Sequence, residues 1–265
     1  MRWVSFSLHD SRSPAQAAYG ILDGDRIREI RGTPFGDFDK TAQVHGLADV
    51  KIEVPFVPRT FYAAGLNYVK HIREYAEQTG TTINEPARAE IGYRAVNALV
   101  AHEEPVVIPN GATQVEYEGE ICVVIGRKAR HLSEAEALAC VLGYTIGNDV
   151  SERSWQASDR TFWRSKNTDT FKPMGPWIET EFDLDAAETT VRLNGQATTR
   201  FRTGDMLFGI STFISAMTRY LTLHPGDVIW MGTDGKSPDL KPGDVVEVEI
   251  SGIGCLRSPF VAEED

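Results

Sequence analysis

The sequence is poor in cysteine, in net positive charge and in long apolar runs. Only three cysteines occur, Cys122, Cys140 and Cys255, widely spaced and with no Cys-x-x-Cys pair. That excludes a disulfide framework and a zinc ribbon, and it fits a reducing compartment. Lys and Arg number 27 against 38 Asp and Glu, giving a net charge of −11 and an isoelectric point near 5.1. Phosphate backbones select basic faces, so nucleic-acid binding is not expected as the main function. No stretch approaches the roughly 18 uninterrupted apolar residues of a membrane span. The opening residues 1–13 lack an apolar run followed by a small-residue cleavage site, so no secretory signal is expected and a cytoplasmic, soluble protein is. Familiar catalytic signatures are missing too. There is no Gly-x-Ser-x-Gly elbow, P-loop, His-Glu-x-x-His or Gly-x-Gly-x-x-Gly, which removes support for serine hydrolases, NTPases, zincins and Rossmann dehydrogenases.

What is present is a globular chain of 265 residues, 42% hydrophobic and 25% charged. At ~150 residues per domain this is one large domain, or one with a small companion. Residues 1–55 read as a small N-terminal unit of short strands with a turn at Asp23-Gly24-Asp25, and residues 56–265 as the main domain. Tyr68 and Ile72 fall at helical spacing, predicting a helix over 67–78 with Asn67 as N-cap. A polar loop is expected over 79–89. Strands are expected over 106–109, 115–126, 143–150, 171–179, 227–231 and 245–250. Ser133 and Glu136 form a capping-box pattern, predicting a helix over 133–142 with Leu138 and Val141 facing inward. A short helix or a loop fits 151–163. The strand at 190–193 runs into Asn194-Gly195, a pair suited to a two-residue hairpin turn. A helix is expected over 211–221. The whole reads as α+β with many antiparallel strands and a few covering helices.

Chemistry concentrates in Val115-Glu116-Tyr117-Glu118-Gly119-Glu120, which leads into the apolar run 121–125. Residues two apart on a strand share a face, so Glu116, Glu118 and Glu120 would stack together. Carboxylates this close repel unless a cation neutralises them, and oxygen donors suit Mg²⁺, Mn²⁺ or Ca²⁺ over zinc. Taken alone, the stretch also fits a solvated strand face. Asp149 ends an apolar strand and could join such a site, or cap the segment from Ser151 onward. His71 and Glu74 lie three apart on one helix face, either a general-base pair or a surface pair. Lys166 and Asp169 occupy a loop. A lysine beside a metal can hold an anionic intermediate, though a plain loop charge is the simpler alternative. Arg153 and Gln156 follow Asp149 by four and seven residues and would point the same way on a short helix, toward an oxygen-rich ligand.

The order of these signals along the chain is more specific than any one of them. Gly65-Leu66-Asn67-Tyr68 precedes His71 and Glu74. Glu118-x-Glu120 follows, then Gly147-Asn148-Asp149-Val150-Ser151-x-Arg153-x-x-Gln156, then Lys166-x-x-Asp169-Thr170-Phe171 and Gly175-Pro176-Trp177. Met231-Gly232-Thr233 and the 240–254 segment ending Gly252-Ile253-Gly254 complete the series. Over about residues 60–260 this resembles the fumarylacetoacetate hydrolase family. The resemblance implies that family's C-terminal domain, a mixed β-roll or β-sandwich with few helices, behind a small N-terminal domain and usually homodimeric. It implies Glu118, Glu120 and Asp149 as ligands of Mg²⁺ or Mn²⁺, with Ca²⁺ an acceptable substitute and Glu116 a neighbour. It implies His71 and Glu74 as the general-base pair on a lid segment, and Lys166 beside the metal. Arg153, Gln156, Asp169 and Thr233 are placed as substrate contacts.

Three positions depart from the family's usual pattern. The Gly-Thr-Pro-x-Gly loop reads Gly232-Thr233-Asp234-Gly235-Lys236, the usual Lys-Pro reads Arg94-Ala95, and Ser165 stands where glycine is common. All three lie where substrate would be read. The implied activity is metal-dependent hydrolysis of a C–C bond in an acylpyruvate-like 1,3-diketo acid, through a metal-bound enolate, with water activated by His71 and Glu74. An oxaloacetate decarboxylase or a 2-hydroxyhepta-2,4-diene-1,7-dioate isomerase would use the same site. The competing class is a non-catalytic member that binds only metal or acid. The expected ligand throughout is a small dicarboxylic or diketo acid.

Overall fold

A computed structural model describes residues 1–8, 17–80 and 85–264. The polar loop expected over 79–89 therefore lies partly outside the described residues. The chain opens with an antiparallel meander of β1 (Arg2–Leu8), β2 (Ala18–Asp23), β3 (Arg26–Gly32) and β4 (Phe38–Gly46), and β5 (Val50–Ile52) pairs back on β1. Next come β6 (Phe61–Ala64), α1 (Val69–Thr79), β7 (Ile91–Tyr93), β8 (Leu99–Val100), β9 (Val106–Ile108) and β10 (Val115–Glu116). The centre holds β11 (Gly119–Ile125), α2 (Glu134–Ala137), β12 (Val141–Asn148), β13 (Ser151–Glu152), α3 (Arg153–Gln156) and β14 (Lys172–Glu179). The chain closes with β15 (Glu188–Leu193), β16 (Gln196–Arg202), α4 (Ile210–Thr218), β17 (Val228–Trp230), β18 (Val245–Ile250) and β19 (Gly254–Ala262).

The main sheet runs β4-β3-β2-β1-β14-β12-β11-β17-β6-β7, and a five-stranded sheet, β16-β15-β18-β19-β9, lies over it. Strand β11 is the hinge between two cores. Alternation sends Ile121, Val123 and Ile125 to one face, against Val191, Val246 and Val248 of the second sheet. Cys122 and Val124 go to the other, against Phe61, Met174 and Trp230. Every residue of β11 is buried, as a strand covered on both faces must be. The N-terminal meander continues the same sheet. Arg2 pairs with Glu179 and Trp3 with Ile178, and Trp3 and Ile30 pack in the core that holds Phe61, Ile178 and Trp230.

Several local expectations change. The strand expected over 115–126 is broken, because the Tyr117 amide donates to Ser237 Oγ and the Glu118 amide to Asn148 Oδ1. β10 then pairs with β13 while β11 pairs with β12 and β17. The capping box at Ser133 and Glu136 is present, but α2 lasts only four residues before a 3₁₀ turn over Leu138–Cys140. The tighter turn rotates the inward face. Ala137 and Cys140 are buried and Leu138 is half exposed, so of the two residues expected inward only Val141 packs against the core. α1 begins at Val69 with Tyr68 as N-cap. Asn67 does not cap it. Its side chain donates to Phe208 O and Met231 O and accepts from the Phe208 amide, partners too distant in sequence to foresee. The hairpin turn at Asn194-Gly195 forms as expected, with φ of 52° and 79°.

Candidate active site

The β11–β12 register builds the acidic cluster. Glu120 lies opposite Gly147 and Gly119 opposite Asn148, and the Asp149 amide donates to Glu118 O at 2.8 Å. Asp149 therefore turns in beside the two glutamates. Gly147 lets Cys122 and Trp230 pack beneath this end of β12, since a Cβ there would sit 2.7 Å from Cys122 Sγ and from the Trp230 ring. Glu118, Glu120 and Asp149 are all buried and offer one carboxylate oxygen each within 4.8 Å of one another.

Four buried cations surround them. Lys166 Nζ lies 2.5 Å from Glu118 Oε2 and 3.1 Å from Asp149 Oδ2. Arg94 forks onto Asp149 through Nε and Nη2, the shortest contact being 2.7 Å. Lys172 Nζ reaches Asp149 Oδ1 at 2.8 Å. Arg153 bridges Glu116 and Glu118 at 2.7 Å each and donates to Gln156 Oε1. Burial would push the Glu118 carboxyl up, but Lys166 and Arg153 outweigh it and hold it at about 2. Burial opposes the Asp149 charge as well, and Arg94, Lys166 and Lys172 together bring that carboxyl well below the usual range. Burial, then the Arg94 and Lys166 charges, take Lys172 down to about 7 against the pull of Asp149.

Glu120 differs. It accepts the Gly232 amide at 2.7 Å, and no ion pair reaches it among the described residues. Burial, then Asp149 and Glu118, push its carboxyl well above the usual range. A buried carboxylate facing two others without a cation of its own is what a divalent-ion site presents when its ion is left out of account. The donor set, three carboxylates with oxygen atoms only, fits a hard divalent ion.

Glu118 and Glu120 line a cavity of about 290 Å³, with Asp149 behind them, and its walls include His71, Arg153, Gln156, Lys166, Thr233 and Phe162. His71 hangs from α1. Its Nδ1 lies 3.0 Å from Gly235 O and its backbone amide donates to Asp234 Oδ1 at 3.0 Å. A carbonyl only accepts, so Nδ1 carries a proton, and in the neutral ring that makes Nε2 the acceptor. Glu74 makes no hydrogen bond to that ring, and its Oε2 is buried without a partner. Asp169 stands outside the cavity. It accepts from Asn97 Nδ2 at 2.6 Å and borders a neighbouring groove with Tyr93 and Trp163. Glu152, not Asp149, caps α3 by accepting from the Trp155 amide. The sequence reading did not place Arg94 or Lys172 on the cluster; the departure at Arg94 from the usual lysine was the one available signal. Asn67 was assigned the wrong task.

This fold and this acidic site define a class of enzymes that act on small organic acids. Residues 60–261 match the family described as Fumarylacetoacetate (FAA) hydrolase C-terminal, and residues 1–55 match Rv2993c-like, N-terminal. The chain belongs to the fumarylacetoacetate hydrolase family, whose members include hydrolases, isomerases and decarboxylases and typically bind a divalent metal. It is 38% identical over 255 residues to the 4-hydroxyphenylacetate degradation bifunctional isomerase/decarboxylase of Salmonella dublin, a match covering 94% of this chain and 58% of that enzyme. It is 36% identical over 284 residues to the 2,4-didehydro-3-deoxy-L-rhamnonate hydrolase of Sphingomonas sp., covering 97% and 95% of the two chains. The crystal structure of 5-carboxymethyl-2-hydroxymuconate delta-isomerase from Mycobacterium smegmatis superposes with a TM-score of 0.88 at 34% identity, covering 99% of this chain and 100% of that one.

Proposed function

We propose that this protein hydrolyses the C–C bond of an acylpyruvate-like 1,3-diketo acid, with Glu118, Glu120 and Asp149 as metal ligands. The observation that carries the reading is the joining of two features in one cavity: the converging buried carboxylates, and a histidine whose Nε2 is left as acceptor. Glu118, Glu120 and Asp149 would hold Mg²⁺ or Mn²⁺, which when bound would supply Lewis acidity to the keto acid. His71 Nε2 takes a proton from water, which adds to the distal carbonyl. The unpartnered Glu74 Oε2 is the reserve of negative charge on the same helix, available to the base as the helix settles over substrate. The C–C bond then breaks, its electron pair stays on the three-carbon fragment, and a proton taken up there releases pyruvate and a carboxylic acid. Lys166 Nζ stands where negative charge develops. Arg153, Gln156 and Thr233 orient the acid.

The names of the relatives favour a second reading, isomerisation of a diene diacid. The cavity gives it less support. Arg94, Arg153 and Lys166, the Arg and Lys side chains among its walls, are each bonded to Glu116, Glu118 or Asp149. A second carboxylate would find no uncommitted Arg or Lys among the described lining residues. The test is product analysis by NMR on acylpyruvates, oxaloacetate and 2-hydroxyhepta-2,4-diene-1,7-dioate, with Mg²⁺, Mn²⁺ or chelator. Pyruvate plus a carboxylic acid from the acylpyruvate, abolished by chelator and restored by metal, is expected. Turnover of the diene diacid alone would replace this reading with the second.

A further inference from the structure

We propose that Asp234 is a positioning residue for His71, and that the turn Asp234-Gly235 selects the tautomer on which proton transfer depends; this rests on reading His71 as the proton acceptor. α1 starts without a side-chain cap of its own, since Tyr68 supplies none. The amides of its first turn therefore need an acceptor from elsewhere. Asp234, 163 residues away, provides it through Oδ1 on the His71 amide at 3.0 Å. Its negative charge also lies at the positive end of the helix. The next residue in the same turn places Gly235 O 3.0 Å from the Nδ1 of the same histidine. Two consecutive residues thus hold the backbone and the ring of one side chain, which sets both where the ring stands and which nitrogen keeps the proton.

The turn is itself anchored at both ends. Gly235 has a φ of 79°, and a Cβ there would fall 2.8 Å from Thr199 Cγ2. Thr199 Oγ1 donates to Lys236 O at 3.3 Å. At the other end Gly232 has a φ of 87° and packs on Asn67, which is tied to Met231 O and Phe208. Glu74, the expected orienting partner, makes no bond to the ring.

The experiment compares Asp234→Ala and Asp234→Asn by long-range ¹H–¹⁵N correlation of histidine-labelled protein, with His71→Asn to assign the signal, alongside steady-state kinetics on an acylpyruvate with Mn²⁺. The wild type should show His71 protonated at Nδ1. Asp234→Ala should shift it toward a tautomer mixture and lower kcat about tenfold, the change that about 1.4 kcal/mol brings, with KM moving less than about twofold. Asp234→Asn keeps an acceptor oxygen and should recover most of both. Wild-type tautomer and kcat in Asp234→Ala would overturn the proposal, as would equal damage in Asp234→Asn. Full turnover by His71→Asn would instead defeat the proton-acceptor reading, and the NMR comparison would still decide whether Asp234 sets the ring.

Discussion

At the residue scale the site is a matter of which carboxylate already has a cation. Asp149 has three, Arg94, Lys166 and Lys172. Glu120 has none among the described residues. Removing the Asp149 carboxylate leaves buried positive charge unpaired, which costs on the order of 3–5 kcal/mol. Metal-free Asp149→Ala should therefore melt well below the wild type. Metal-free Glu120→Gln should melt within about 1 kcal/mol of it, because the amide oxygen still accepts the Gly232 amide. Both should lose binding of Mn²⁺ by calorimetry. Equal melting of the two variants would show that the cations, and not the ligand geometry alone, have been misassigned.

At the scale of the element, α3 presents Arg153 and Gln156 to the cavity and is held by one carboxylate. Glu152 accepts the amides of Thr113, Gln114 and Trp155 and the Ser154 hydroxyl. Burial raises its carboxyl, and these donors outweigh burial and bring it below its ordinary 4.5. A depressed folded-state pKa stabilises fully above the unfolded value and loses that contribution as pH falls through the folded one. Glu152→Ala should thus cost about 1–2 kcal/mol near neutrality, and the gap in Tm to wild type should close as the pH falls below the ordinary carboxylate range. A gap that stays constant would remove the charge from the explanation. At this scale local chemistry was legible, as the Ser133–Glu136 box and the Asn194-Gly195 turn show. Leu138 was misread because a 3₁₀ turn changes the angular period after only four residues. Asn67 was misread, and the Asp149 partner of Arg94 was missed, because what decides them is reached across 141 and 55 residues.

At the scale of the whole molecule, the meander over residues 17–46 and β1 share both a sheet and a core with β11, which bears Glu120 of the acidic cluster. Trp3 is buried against Ile178 and its neighbours. Trp3→Ala should cost about 3–5 kcal/mol and shift a single calorimetric transition; two separated transitions in the wild type would show the first 55 residues melting alone. Strand β11 lies between β12 and β17 and beneath a core on each face, whereas among the described residues of α1 only Ile72 is buried. Placed in deuterium oxide, the ribbon bearing Glu120 should be among the last stretches to exchange and the helix bearing His71 among the first. The half of the site that grips an ion and the half that moves a proton would then keep different clocks, and entry and exit of an acid could proceed past the second without ever loosening the first.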